Sequence, residues 1–109
     1  MKIYLACPYS HKDQYIINER FHLVNKKAAE IMEQGHIVFS PISHSHPISE
    51  HTHVDPQNHD FWLKQDFAFI DWCDELWVYT LPGWEESEGV KREIAYATAW
   101  LMPVRYIEV

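Results

Sequence analysis

The feature that most constrains the fold of this chain is a regular alternation of short apolar runs with longer segments of helical periodicity. Four apolar runs predict buried strands, at residues 2–6, 36–40, 75–80 and 104–107. Three segments with apolar residues spaced by three and four predict amphipathic helices, at residues 13–34, 59–73 and 87–101. The order β-α-β-loop-α-β-α-β predicts one α/β domain over residues 1–109, with a parallel sheet of about four strands and right-handed crossovers.

Residues 40–59 and the helix that follows them have an unusual composition. The first segment is rich in His, Ser and Pro and is predicted to be a long loop. The helix carries Phe61, Trp62, Phe69 and Trp72 outside its core stripe, which predicts burial on two sides. A second buried side predicts a homodimer or a larger homo-oligomer.

Charge and composition exclude several classes of function. The 16 acidic and 9 basic residues give a formal charge of −7, which argues against binding to a nucleic-acid polymer but not to a single nucleotide. No apolar run approaches the ~20 residues of a membrane span, and the apolar N-terminus is too short for a signal peptide. The two cysteines form no CxxC pair, so we expect a reduced, cytoplasmic setting without membrane association.

In a parallel sheet of this kind, ligands bind beyond the carboxyl ends of the strands. That rule selects residues 7–11, 40–46 and 81–89. The chain has only three glycines, which excludes a GxGxxG dinucleotide fingerprint and a P-loop. The candidate substrate contacts in the first two segments are Pro8, Tyr9, Ser10, His44 and His46.

Two carboxylates are predicted at the edges of the core-facing stripes of their helices. Glu93 lies roughly 65° from the centre of the stripe of the last helix, and Asp66 roughly 60° from that of the preceding helix. Two such groups in one pocket suit retaining glycosyl transfer, in which one attacks the anomeric carbon and an acid protonates the leaving group. The alternative is that both are ordinary flank carboxylates paired with Lys or Arg.

The start of the last helix is a second feature with chemical meaning. Free amide groups near Ser87 and Gly89 could hold an anion such as phosphate, while the simpler alternative is an ordinary N-cap at Ser87. Glu85, Glu86 and Glu88 suit the helix dipole but would repel a phosphate.

The histidine-rich segment is the third feature. His44, His46, His51 and His53 could supply ligands to a transition metal, but no cysteine supplements them. A substrate contact or a solvated loop is the favoured interpretation, and no metal is expected. Cys7 lacks the arginine of a phosphatase-type loop and is interpreted as structural.

Three segments together resemble the nucleoside 2-deoxyribosyltransferase superfamily. Residues 3–8 are similar to its first strand, residues 65–74 to the helix that carries an aspartate, and residues 87–97 with Pro103-Val104 to its nucleophile helix and following strand. The superfamily includes deoxyribosyltransferases and deoxynucleoside 5′-monophosphate N-glycosidases. The resemblance implies a flavodoxin-like or Rossmann-like three-layer sandwich and homo-oligomers with sites near subunit contacts.

The resemblance also implies a role for each matching residue. Glu93 would attack C1′ and form a glycosyl-enzyme, Asp66 would assist departure of the base or orient the sugar, and Tyr4 would place its hydroxyl near Glu93. Ser87 and the amide of Gly89 would bind a 5′-phosphate, if the ligand has one. No cofactor is implied.

The sequence departs from the superfamily pattern in three places. Cys7 and Ala95 stand where relatives commonly have glycine, and Leu101-Met102 replaces a Gly-Lys pair. These differences affect the expected shape of the sugar and phosphate pocket more than the nucleophile.

The resulting prediction is an enzyme that cleaves or transfers the N-glycosidic bond of a nucleoside or nucleoside 5′-monophosphate. One alternative is a nucleotide-binding or sensing module on the same fold without turnover. The other is a metal-dependent hydrolase built on the histidine-rich segment.

Overall fold

The computed structural model describes residues 1–108, which contain four strands and four helices. In chain order they are β1 (Lys2–Ala6), α1 (Gln14–Glu33), β2 (Ile37–Phe39), α2 (Pro41–Ser49), α3 (His59–Trp72), β3 (Glu75–Tyr79), α4 (Glu88–Ala99) and β4 (Val104–Ile107). Every predicted strand and helix is confirmed, with ends that shift by at most two residues. Among the helices of this range, none has the length and apolar character needed to cross a membrane.

The four strands form one sheet in the order β2-β1-β3-β4, and every neighbouring pair is parallel. Tyr4 of β1 is aligned with Phe39 of β2 on one side and with Leu76 of β3 on the other. The predicted α/β class with a flavodoxin-like parallel sheet is therefore confirmed. From β1 the chain passes to β2 on one side, and it then crosses back to β3 and β4 on the other side of β1. This reversal creates a crevice beyond the carboxyl ends of β1 and β3.

Alternation along β1 divides the core into two apolar clusters, one on each face of the sheet. Ile3 and Leu5 pack against α1 and α2, whereas Tyr4 and Ala6 face α3 and α4. The molecule is therefore the three-layer sandwich that the sequence predicts. This alternation also directs the hydroxyl-bearing ring of Tyr4 toward α4.

The predicted loop at residues 40–59 is wrong over its first half, because residues 41–49 form α2. Pro41 occupies the first helical turn, where its fixed φ suits the helix and its missing amide leaves no hydrogen bond unmade. The amide of His44 donates to the carbonyl of Ser40 at 3.1 Å, and Ile42 is buried against α1 and the sheet. Residues 50–58 connect α2 to α3 without regular structure.

The apolar second side of α3 is only partly used within the chain. The Phe69 ring stacks on Phe39 at 3.9 Å between centroids, and Phe67 stacks on Tyr96 at 4.2 Å. Phe61 and Trp72 stay 38% and 49% exposed. A homo-oligomer that covers these two side chains remains a prediction.

Candidate active site

Tyr4 and Glu93 form a buried pair at the carboxyl edge of the sheet. Tyr4 is fully buried on β1, and its hydroxyl donates a hydrogen bond to Oε2 of Glu93 in the second turn of α4. Glu93 is only 5% exposed. Glu93, which the sequence places at the edge of the core-facing stripe, is thus buried, because the tyrosine side chain crosses from the sheet and encloses it, with the hydroxyl near Glu93 as the resemblance implies.

Asp66 of α3 lies close enough to this pair for its charge to act on both members. Burial and, to a smaller extent, the charge of Asp66 raise the pKa of Glu93 to about 8, against the opposing effect of the hydrogen bond from Tyr4. Burial likewise raises the pKa of Asp66 to about 7, again opposed by the Tyr4 hydroxyl. Because two neighbouring buried carboxyls resist double ionisation, the pair keeps at least one proton near neutral pH, and the higher pKa of Glu93 favours that group as its carrier.

Within residues 1–108, neither Glu93 nor Asp66 takes part in an ion pair with Lys or Arg. The alternative that both are ordinary flank carboxylates in such pairs is therefore wrong. A carboxylic acid next to a carboxylate is the arrangement that combined acid and nucleophilic chemistry requires.

A cleft of about 650 Å³ opens above Glu93 and Asp66, beyond the carboxyl ends of the strands. Its walls come from the loop after β1, the first turns of α1, α2, the first half of α3 and the turn before α4. The predicted site residues that line it are Tyr9, Ser10, His46, Asp66, Ser87, Gly89 and Glu93. The topology thus brings segments distant in sequence to one cavity.

Three predicted site residues do not line the cleft. Tyr4 lies behind Glu93, and Pro8 is fully buried, so the prediction that Pro8 contacts substrate has no support in the geometry. His44 is exposed and packs its ring against Phe39 at 5.5 Å and Phe69 at 5.8 Å. The geometry gives no support to the predicted substrate contact at His44, because its position on α2 directs the ring over α3 and away from the cleft.

His46 and Tyr9 form one wall of the cleft together. The Tyr9 hydroxyl is hydrogen-bonded to Nδ1 of His46, whose ring stacks on Phe21 of α1 at 4.1 Å between centroids. The Oγ of Ser49 donates to the carbonyl of His46 at 2.6 Å. These contacts fix α2 against the loop after β1 and leave polar ring edges at the cavity.

Ser87 is the N-cap of α4, as the simpler interpretation predicts. Its Oγ accepts a hydrogen bond from the amide of Val90 at 3.3 Å. Ser87 and Gly89 nevertheless line the cleft, next to Glu86 and Glu88. Whether this end of α4 holds a ligand anion depends on the balance between its amides and these carboxylates.

Arg20 is an organising residue that inspection of the sequence did not single out. It is 9% exposed on α1, and its guanidinium donates to the carbonyls of Tyr9 at 3.3 Å, Ser10 at 3.1 Å and Pro82 at 3.0 Å. The next residue, Gly83, has φ +93°, and a Cβ there would lie 2.6 Å from Nη2 of Arg20. The sequence signal for this role was the presence of the charged Arg20 within the apolar stripe of α1, since a buried charge needs partners.

The histidine-rich segment does not assemble a metal site in the described part of the chain. Among residues 1–108, no three His, Cys, Asp or Glu side chains are grouped so that they could hold an ion. His51 and His53 are exposed, while His44 and His46 take the separate contacts described above. Cys7 lies buried at the cleft, where burial raises the pKa of its thiol to about 12, as suits a structural role.

Comparison with known proteins gives a family and a fold. The model of a domain of unknown function, DUF1937, matches residues 1–109. The solved structure of a 2-deoxyribosyltransferase from the psychrotolerant bacterium Bacillus psychrosaccharolyticus is similar, with a TM-score of 0.70 and 24% identity over 99% of this chain and 72% of that one. No curated protein matches the sequence. The chain therefore belongs to the DUF1937 family and shares its fold with a 2-deoxyribosyltransferase.

Proposed function

We propose that this protein cleaves or exchanges the N-glycosidic bond of a nucleoside or nucleoside 5′-monophosphate through a covalent intermediate on Glu93. The observation that carries the proposal is the buried carboxyl of Glu93 at the floor of the cleft, held by the Tyr4 hydroxyl and accompanied by the carboxyl of Asp66 in the same lining. The likeness in fold to a 2-deoxyribosyltransferase supports the same assignment.

The proposed first step starts from the form in which Glu93 is ionised and Asp66 carries the proton, which is the less populated form because the pKa of Glu93, about 8, lies above that of Asp66, about 7. The Glu93 carboxylate attacks C1′, the C1′–N bond breaks, and the electron pair of that bond leaves with the base. Asp66, in its acid form, supplies the proton that the departing nitrogen takes up. The hydrogen bond from Tyr4 favours the ionised form of Glu93 and holds the carboxylate in place.

The second step releases the sugar. Water attacking C1′ of the glycosyl-enzyme gives hydrolysis, while the nitrogen of a second base gives transfer. In both cases Asp66, now ionised, takes the proton of the attacking group, and Glu93 leaves as carboxylate. Which acceptor reacts depends on how completely the bound base excludes water from the cleft.

A panel of substrates tests the proposal. The protein is incubated with ribo- and deoxynucleosides and their 5′-monophosphates, with and without a second free base, and products are separated by chromatography. We expect free base from one sugar class, and new nucleoside only when a second base is present if transfer operates. Intact-protein mass spectrometry after acid quench should detect the mass of one glycosyl group.

Matched variants assign the chemistry to the pair. Glu93→Gln should abolish base release and the mass adduct, and Asp66→Asn should lower the rate by roughly 10²–10⁴-fold. Asp71→Asn, on the same helix as Asp66 but exposed and outside the cleft, should retain the rate. A wild-type rate in Glu93→Gln would remove Glu93 from the mechanism.

A nucleotide-binding module without turnover is the second candidate. The raised pKa of Glu93 favours it, since a protonated carboxyl is a poor nucleophile and a good hydrogen-bond donor. For such a module, nucleosides or nucleotides should raise the melting temperature while no base is released under any condition of the panel. Base release that depends on Glu93 excludes this candidate.

A further inference from the structure

The cleft is lined by five Asp and Glu side chains. The lining includes no Lys and no Arg. Its carboxyl groups divide into the floor pair described above and three at the rim, which are Glu50, Glu86 and Glu88. Two of the rim groups flank Ser87, at the end of α4 where free amides point outward.

The nearest cations are held by other partners. The guanidinium of Arg20 is buried behind the loop after β1 and directs its donors at three backbone carbonyls. Arg92 lies outside the cleft and pairs with Asp60 at 2.7 Å and Glu88 at 3.1 Å. Glu88 is therefore partly compensated, while Glu86 has no ion pair among the residues described.

A 5′-hydroxyl and a 5′-phosphate interact with such a rim in opposite ways. A hydroxyl can donate a hydrogen bond to a carboxylate, whereas an ionised phosphate offers only acceptors and a charge of the same sign. Amides at a helix N-terminus attract a phosphate by the helix dipole, equivalent to roughly half a charge. The carboxylates of Glu86 and Glu88, which line the cleft beside those amides, oppose that attraction.

We propose that the cleft takes an unphosphorylated nucleoside and selects against its 5′-monophosphate, with Glu86 as the residue that sets this specificity. The inference rests on the proposed function and narrows its substrate class. It replaces the expected role of Ser87 and Gly89 as phosphate ligands: Ser87 caps α4, and the amides face a hydroxyl-bearing sugar.

The test compares a nucleoside with its own 5′-monophosphate, in kcat/KM for the wild type and in Kd for Glu93→Gln, where turnover is blocked. At roughly 0.01 M salt, where the Debye length is about 30 Å, we expect a preference for the nucleoside of about tenfold or more. At roughly 1 M salt the Debye length falls to about 3 Å, and the preference should narrow.

Substitutions at adjacent positions then locate the effect. Glu86→Gln should narrow the ratio of kcat/KM for the nucleoside to that for its 5′-monophosphate several-fold, and Glu86→Lys should narrow this ratio further or invert it. Glu85→Gln removes the same charge from an exposed neighbour outside the cleft and should leave the ratio unchanged. Equal effects of Glu85→Gln and Glu86→Gln would overturn the role of Glu86.

The two proposals fail in different ways. Equal or better binding and turnover of the monophosphate at low salt would overturn the selection but support glycosidic cleavage. Tighter binding of the nucleoside without base release from either compound would support the selection and overturn the catalytic proposal. Binding of neither compound would overturn both.

Discussion

Replacing Tyr4 by phenylalanine removes one hydroxyl and isolates the hydrogen bond that reaches Glu93 from the sheet. The ring is fully buried, so the phenylalanine fills nearly the same space and the core around β1 is retained. A hydrogen bond to a charged group contributes about 1.5–3 kcal/mol. Since one pKa unit corresponds to about 1.4 kcal/mol, losing it should raise the pKa of Glu93 by roughly one to two units.

The expected consequence is a displaced pH profile. In the wild type, burial already raises the pKa of Glu93 to about 8, so the ionised fraction increases through neutral pH. The Tyr4 hydroxyl opposes the rise in the pKa of Asp66 as well as that of Glu93, so in Tyr4→Phe the whole pH profile of kcat/KM should move to higher pH by roughly one to two units, with a loss of about 5–50-fold at pH 7. Activity should partly recover at alkaline pH, unlike in Glu93→Gln.

The assay is base release measured across the pH range for the wild type, Tyr4→Phe and Glu93→Gln, with melting curves at each pH to verify folding. An unchanged ascending limb in a folded Tyr4→Phe would refute the argument that this hydroxyl favours the ionised form of Glu93. A loss of rate equal at all pH values would instead assign Tyr4 a purely geometric role.

Three further predictions concern stability. The folded-state pKa of Glu93 is raised from 4.5 to about 8, so the contribution of this group to stability is full below about pH 4.5 and is lost as the pH rises through 8. The melting temperature of Glu93→Gln should therefore rise relative to that of the wild type between about pH 4.5 and 8. Gly83→Ala should lower the free energy of unfolding by about 1–3 kcal/mol in denaturant titrations, because φ is +93° and the new Cβ would meet Arg20; no loss would contradict the packing there. Leu101→Gly should raise it by up to ~1 kcal/mol, because Leu101 has φ 60° and is 91% exposed, and a decrease would indicate that the leucine side chain is covered.

The architecture was accessible from the sequence because each strand and helix carries its own periodic signal. The alternation of Ile3 and Leu5 with Tyr4 and Ala6, and the stripes of the long helices, specify the layers locally. α2 was missed because its sequence, with two prolines and several Ser and His residues, has the composition of a loop. Its helical structure comes from the position of Pro41 in the first turn and from the burial of Ile42 against α1, which is a tertiary effect.

The site was accessible only in part, for a related reason. A helical wheel places Glu93 and Asp66 near the core, whereas the contact between the Tyr4 hydroxyl and Glu93 was implied only by the resemblance to the superfamily. The same limit applies to His44 and His46, two residues apart on α2, of which only His46 faces the cavity. Side-chain direction on a helix that the sequence did not predict could not be assigned.

Arg20 divides the cleft into parts with different freedom. Its three hydrogen bonds join the loop after β1 to the turn after β3, so these two connections are braced against each other. Pro56 and Gln57 line the cleft from the segment 51–58, whose hydrogen bonds join positions no more than seven residues apart. Substitutions in residues 51–58 can therefore reshape this side of the cleft while the contacts of Arg20 stay in place, which makes this the segment to vary in a search for altered ligand preference.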